Sequence, residues 1–245
     1  GIYREKLDLA ASKSNVRMIG ESRDDTILVY GDSASTLDGN GNALGTSNSY
    51  SFRVQGSNFT AENVTIQNDA GINAGQAVAL YANGDRLLFR NVSIKGHQDT
   101  LYANNGRQYY VDSYIEGTVD FIFGGATAVF ENSTIHSVGG GYVTAASTAP
   151  TKLGYIFMNS YITADTDITN VALGRPWRAD ANVIYINSYM GEHISPQGWN
   201  NWGNINNEKT ARYGEYASYG PGAQASSRVS WAKQLTAEET AAYMP

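Results

Sequence analysis

Cysteine is absent from the 245 residues. That excludes disulfides, thiolate metal sites and cysteine nucleophiles. Charge is sparse, with charged residues at 16%, and the balance is acidic, with a net charge of −6. A nucleic-acid partner is therefore not expected, because phosphate binding needs a basic surface. No long apolar run occurs, so neither a membrane-spanning helix nor a membrane partner is expected. Histidine appears only at His97, His136 and His193, which limits the supply of imidazole bases. Glycine, by contrast, is plentiful at 26, and tyrosine leads the aromatics at 17. With frequent Asn and Ser, this composition suits a β-rich fold with many turns. The length is enough for one domain with a sizeable core.

Six segments share one pattern, from Phe59–Ile66 and Leu87–Ile94 through Gln108–Ile115, Ala128–Ile135 and Tyr155–Ile162 to Val183–Met190. Each sets two short alternating runs around one polar residue: Asn63, Asn91, Asp112, Asn132, Asn159 and Asn187. The intervals between them are 28, 21, 20, 27 and 28 residues. Alternation reads as strand, and Asn or Asp between two strands reads as a left-handed corner. A period of this length with no helix per unit predicts a parallel β-helix. Several Asn-x-Ser/Thr glycosylation patterns coincide with the corner, where a stacked ladder is the better expectation. After Gly191 the repeat stops, and Thr236-Ala-Glu-Glu239 forms a capping box that predicts a short helix to Met244 over the open coil end.

A second strand is predicted before each corner, including Gln76–Tyr81, Gln98–Tyr102, Val119–Gly124 and Val171–Trp177. In a β-helix, equivalent positions stack about 4.8 Å apart. Asp99 and Asp120 lie 21 residues apart and Gln76 and Gln98 lie 22 apart, one coil in each case. The four should form a ladder on one face. Two carboxylates about 5 Å apart repel by roughly 3 kcal/mol at an effective dielectric of 20, about two pKa units. One should hold a proton near neutral pH while the other is ionised, the arrangement that a two-step hydrolysis uses. If Asp99 and Asp120 were mere corner residues the argument would fail, but both are expected inside strands, where Asp is disfavoured.

Other chemistry is less well supported. Gly31-Asp32-Ser33 ends a strand as in serine esterases of the Gly-Asp-Ser type, yet no histidine has an acidic residue three positions before it and no Gly-x-Ser-x-Gly elbow exists. Ser33 is expected to be a turn residue. The acidic pairs Asp24-Asp25 and Asp165-Thr-Asp167 are expected to be solvated loop carboxylates, and no metal site is predicted. A β-helical lyase would need a calcium cluster and a basic proton abstractor. An inverting glycosidase would need carboxylates about 6.5–9.5 Å apart. A non-catalytic sugar-binding β-helix would leave the ladder without a purpose.

At these residues the chain resembles the pectin methylesterases, a carbohydrate-esterase family. The matching motifs run in order from Gly1-Ile-Tyr-Arg-Glu5 through Gln76-Ala-Val-Ala-Leu80, Gln98-Asp-Thr-Leu101 and Gly117-Thr-Val-Asp-Phe-Ile-Phe-Gly124. Leu173-Gly-Arg-Pro-Trp177, Gly198-Trp199 with Trp202, and Tyr219-Gly-Pro-Gly222 complete them. The resemblance implies an all-β fold, a right-handed single-stranded parallel β-helix with C-terminal loops and a short capping helix, as one domain over residues 1–245. It implies that Asp120 is the nucleophile and Asp99 the general acid and then base. It implies that Gln76 and Gln98 hold the oxyanion, that Arg175 keeps Asp120 ionised, and that Trp177 is a sugar platform. Thr46 is similar to a substrate-contacting threonine, and Tyr102 and Phe123 to groove aromatics. The implied partner is pectin, a methylated homogalacturonan, with no cofactor, in a monomer that is secreted or periplasmic. Three departures stand out. The Gly-x-Tyr-x-Glu motif opens the chain, so the first strand and helix of the family domain are expected to be missing. Ser113 stands where plant members have cysteine, which suggests a microbial member. Arg175 lies two corners beyond Asp120, nominally about 10 Å along the axis, so its side chain must reach back or the register must shift.

Overall fold

The corner residues adopt the conformation their chemistry favours. In the computed structural model, which describes residues 1–244, Asn63, Asn91, Asp112, Asn132, Asn159 and Asn187 have φ between 49° and 57°. Most side chains crowd the backbone there, whereas Asn and Asp tolerate it. Each corner joins two short strands, as Asn63 joins Thr60–Glu62 to Thr65–Asn68. The Asn91 amide donates to Asn63 Oδ1 at 2.8 Å, and Asn187 to Asn159 Oδ1 at 3.0 Å. Beside the corner runs a buried serine ladder that the sequence pattern did not announce. The backbone N–H groups of Ser113, Ser133 and Ser160 donate to the hydroxyls of Ser133, Ser160 and Ser188 at 3.1, 3.2 and 3.3 Å.

Strands of successive coils pair in parallel and form a 13-stranded and a 9-stranded sheet. The chain is a right-handed parallel β-helix, the hand that parallel crossovers take. Two inward ladders fill it. Ile66, Ile94, Ile115, Ile135, Ile162 and Met190 stack in register or one coil apart on one wall, all buried. Phe89, Tyr110, Phe130, Phe157 and Tyr185 stack on another, with successive ring centroids 4.8, 4.7, 4.6 and 4.5 Å apart. These separations match the strand spacing, so each coil presents its ring to the next without distortion.

The third wall carries the site. Phe52, Leu80, Leu101, Ile122, Thr144 and Gly174 form one line of register. The residue after each points outward, giving the line Arg53, Tyr81, Tyr102, Phe123, Ala145 and Arg175.

Beyond Met190 the chain packs back on the coils. Trp199 is buried and stacks on Tyr213 at 4.3 Å. Arg228 and Glu215 form a buried ion pair at 2.6 Å that ties two of the C-terminal segments together. The helix Ala237–Thr240 has the capping box read from Thr236 and Glu239, followed by a 3-10 turn over Ala241–Tyr243. It does not cover the coil end as expected. Tyr243 and Leu235 pack against Ile156, Met158, Ile184 and Ile186, which the second sheet turns outward. Those outward apolar side chains draw the tail onto the flank, and Lys233–Gln234 pairs with Arg212–Tyr216 at the edge.

Candidate active site

The site grows out of the outward line. Tyr81, Tyr102 and Phe123 stack with centroids 4.5 and 4.2 Å apart, forming an aromatic wall. The next position in register is Ala145, which has no ring to continue the stack. Arg175 follows it. Its side chain runs back across this gap and binds Asp120 through both ends of its fork, Nε to Oδ1 at 2.8 Å and Nη2 to Oδ2 at 2.7 Å. Side-chain length thus covers the two-corner separation noted in the sequence.

Asp99 and Asp120 are side by side, since the Asp99 N–H donates to the Val119 carbonyl at 3.1 Å. The expectation that both lie in extended backbone is corrected. Asp99 has φ 64° and Asp120 has φ 53°. Asp120 sits at a bulge in the strand Tyr114–Gly124, where the register shifts between Val119 and Ile122. Phe121 and Ile122 are consequently both buried, which breaks the alternation and leaves Asp120 beside the cleft. Asp99 lies in a turn ahead of the strand Leu101–Ala103. Gln76 and Gln98 likewise precede the regular strands Leu80–Ala82 and Leu101–Ala103. They remain one coil apart, with the Ala77 N–H donating to the Gln98 carbonyl at 3.1 Å. The Gln76 carbonyl accepts from Ala34 N–H at 2.8 Å, which fixes its backbone.

A cleft of ≈ 520 Å³ is lined by Thr46, Gln76, Gln98, Asp99, Tyr102, Asp120, Phe123, Arg175 and Trp177. These are all of the site residues expected from the sequence. Thr46 opens a 3-10 turn over Thr46–Asn48. That turn is pinned by Ser49, whose hydroxyl donates to the Thr46 carbonyl at 2.8 Å and accepts from Val78 N–H at 3.1 Å. Trp177 stands edge-on to Tyr102 and Phe123, at 6.4 and 5.9 Å. Among the described residues, the Gln76 and Gln98 side-chain amides make no hydrogen bond to protein, so both are free to meet a ligand.

The sequence assigned no role to two further rings. Trp202 lines the cleft, and Tyr142 lies in the strand Thr134–Ala146. The Arg175 guanidinium is 3.8 Å from the centroid of each. Trp202 could be seen in the Gly-Trp motif, but Tyr142 meets Arg175 across coils, and no spacing signals that contact.

Burial pushes the Asp99 carboxyl up to about 8, the negative charge of Asp120 adds to the rise, and Arg175 opposes it. Burial raises Asp120 as well, against the hydrogen bonds and charge of Arg175. Asp120 therefore ionises first and Asp99 keeps the shared site's proton at neutral pH, a choice between the two that the spacing argument left open. The rival features are otherwise engaged. The Ser33 hydroxyl lies 2.9 Å from that of Ser35, and Asp165 pairs with His136 at 3.0 Å.

A family profile described as "Pectinesterase" matches residues 1–244. "Pectinesterase 31" of Arabidopsis thaliana is 39% identical over 98% of this chain and 77% of its own length. "Putative pectinesterase 11" of the same plant is 37% identical over 100% of this chain and 66% of its own. These plant relatives give no support to the microbial character suggested by Ser113. Among solved structures, a pectin methylesterase in complex with a hexasaccharide superposes with a TM-score of 0.89 at 32% identity, covering 100% of this chain and 84% of that one. Pectin methylesterase from carrot has a TM-score of 0.89 at 34% identity, covering 98% and 78%.

Proposed function

The chain belongs to the pectinesterase family and is a carboxylic ester hydrolase, and from that premise we propose how its cleft hydrolyses the methyl esters of galacturonate units in pectin. The ionised Asp120 attacks the ester carbonyl carbon. The carbonyl oxygen becomes an oxyanion, and the free amides of Gln76 and Gln98 donate to it. Collapse of the tetrahedral adduct breaks the bond to the methoxy oxygen, and the protonated Asp99 supplies the proton that lets it leave as methanol. An acyl-enzyme anhydride to Asp120 is left. Asp99, now a carboxylate, takes a proton from water as that water attacks the anhydride, and pectate departs with Asp120 restored. The aromatic wall and Trp177 offer faces on which sugar rings can stack. No step calls for a cofactor, and the polymer substrate suits a protein that works outside the cytoplasm.

The observation that carries this reading is the Arg175 fork on Asp120, with its 2.8 and 2.7 Å bonds, beside a second carboxyl that keeps its proton. The test is methanol release from esterified pectin. Asp120→Asn should abolish it while pectin binding persists, because an amide cannot form the anhydride. A chelator should leave the wild-type rate unchanged. Ultraviolet-absorbing unsaturated ends would indicate a lyase instead, and new reducing ends a glycosidase.

A further inference from the structure

Arg175 is held on three sides. Its edge donates to both Asp120 oxygens at 2.8 and 2.7 Å. The Tyr142 and Trp202 ring centroids each lie 3.8 Å from the guanidinium carbon. At that distance each ring makes a cation–π contact with the guanidinium, and the Tyr142 side chain also holds Arg175 by a hydrogen bond. The jaws come from different parts of the fold. Tyr142 lies three residues before Ala145, on the strand whose small side chain lets Arg175 pass. Gly141, just before it, has φ +148°, and a Cβ there would stand 2.6 Å from the Thr118 carbonyl oxygen. That close approach fixes the backbone from which Tyr142 projects. Trp202 sits on the loop anchored by buried Trp199, and its backbone N–H donates to Asn200 Oδ1 at 2.7 Å.

We propose that Tyr142 is a positioning residue for ester hydrolysis: with Trp202 it clamps the Arg175 guanidinium in the plane that aims the Asp120 carboxylate at the substrate. The inference rests on the reading of Asp120 as nucleophile. A guanidinium fork and a carboxylate bind in a shared plane. Fixing the first therefore fixes the second, and with it the direction of the oxygen lone pairs left for attack. Arginine has a long, flexible stem. Without the two rings against it, it could swing within the cleft, and water would reach the cation and weaken its field. Both consequences fall on the chemical step.

The experiment compares Tyr142→Leu, Tyr142→Phe, Trp202→Leu and the Tyr142→Leu/Trp202→Leu pair in methanol release, with melting curves to confirm folding and Asp120→Asn as a control. Tyr142→Leu should lower kcat by about 10²-fold, the scale of a small misplacement of a reacting group. Its KM should hold, because Tyr142 is not among the residues lining the cleft. Both limbs of the pH–rate profile should move to higher pH, since Arg175 opposes the rise of Asp99 and of Asp120. Tyr142→Phe keeps the ring and should restore kcat. Trp202 is 38% exposed, so its replacement spares the core, and it should also lower kcat. The double variant should lose less than the product of the two single losses, as halves of one clamp would. An unchanged kcat and pH profile in folded Tyr142→Leu would overturn the proposal. So would a Tyr142→Phe variant as damaged as Tyr142→Leu, which would credit the hydroxyl rather than the ring face. If Tyr142→Leu does not fold, an unchanged kcat in Trp202→Leu overturns it. An active Asp120→Asn would instead remove the nucleophile assignment, whereas an inactive Asp120→Asn beside an unaffected Tyr142→Leu removes the clamp alone.

Discussion

A carboxyl that keeps its proton at neutral pH is a cost to the fold as well as the proton source of the proposed hydrolysis. Asp99 is raised from 3.8 to about 8 by burial and by the charge of Asp120. Between those values the folded chain binds a proton that the unfolded chain has released. Stability from this group is therefore present at low pH and declines as pH rises towards about 8. Asp99→Asn removes the titration, so it should raise the melting temperature more at pH 8 than at pH 4, while abolishing turnover. Melting curves of the two proteins across that range would settle it, and a parallel pair of curves would show that Asp99 titrates normally. For the same reason methanol release should fall as pH climbs past about 8, where the leaving group loses its acid. The pairing of Asp99 with Asp120 was legible in the sequence through their 21-residue spacing, whereas the choice of Asp99 as the proton holder came only from the family resemblance. The backbone conformation of Asp99 was not legible. A φ of 64° leaves no trace in an alternation pattern, which predicts strand at Asp99.

At the scale of the element, the corners were the most legible feature, because few residue types tolerate a left-handed backbone. All six polar residues picked out by the repeat have positive φ. The alternating runs beside each corner were legible as strands, but the ring stack that Phe89, Tyr110, Phe130, Phe157 and Tyr185 build from them was not. Less was legible where the chain leaves the repeat. The flank docking of Tyr243 depends on apolar side chains that four strand residues turn outward, and alternation alone does not say which face will be covered. Asn159 offers a clean test of the corner argument. It has φ 50° and accepts the Asn187 amide at 3.0 Å. Asn159→Ala should cost about 1–2 kcal/mol, the penalty of an L side chain in this region. Asn159→Gly should cost less, since glycine adopts it freely. Denaturant midpoints of the two variants give the order, and equal losses would mean that the amide ladder matters more than the backbone.

Taken whole, the molecule is a stack in which each coil touches the coils above and below. The order of the second sheet runs from Lys233–Gln234 at one end to Arg17–Ile19 at the other. The first and last strands of this sheet thus lie at opposite ends of the stack, and the hydrogen bonds between coils run along the line joining them. The domain is in effect a spring whose turns are stitched together. Pulled by its two ends in an optical trap, it should peel rather than shatter, because the load falls on one end coil at a time. A turn of 20 to 28 residues holds about 70 to 95 Å of extended chain. Force–extension curves should therefore show a sawtooth with steps of that size, and a single rupture of the full length would mean that the coils fail together. The cleft lies in the middle of the stack, away from both ends, so tension on a tethered molecule would consume the outer turns before it reached Asp120.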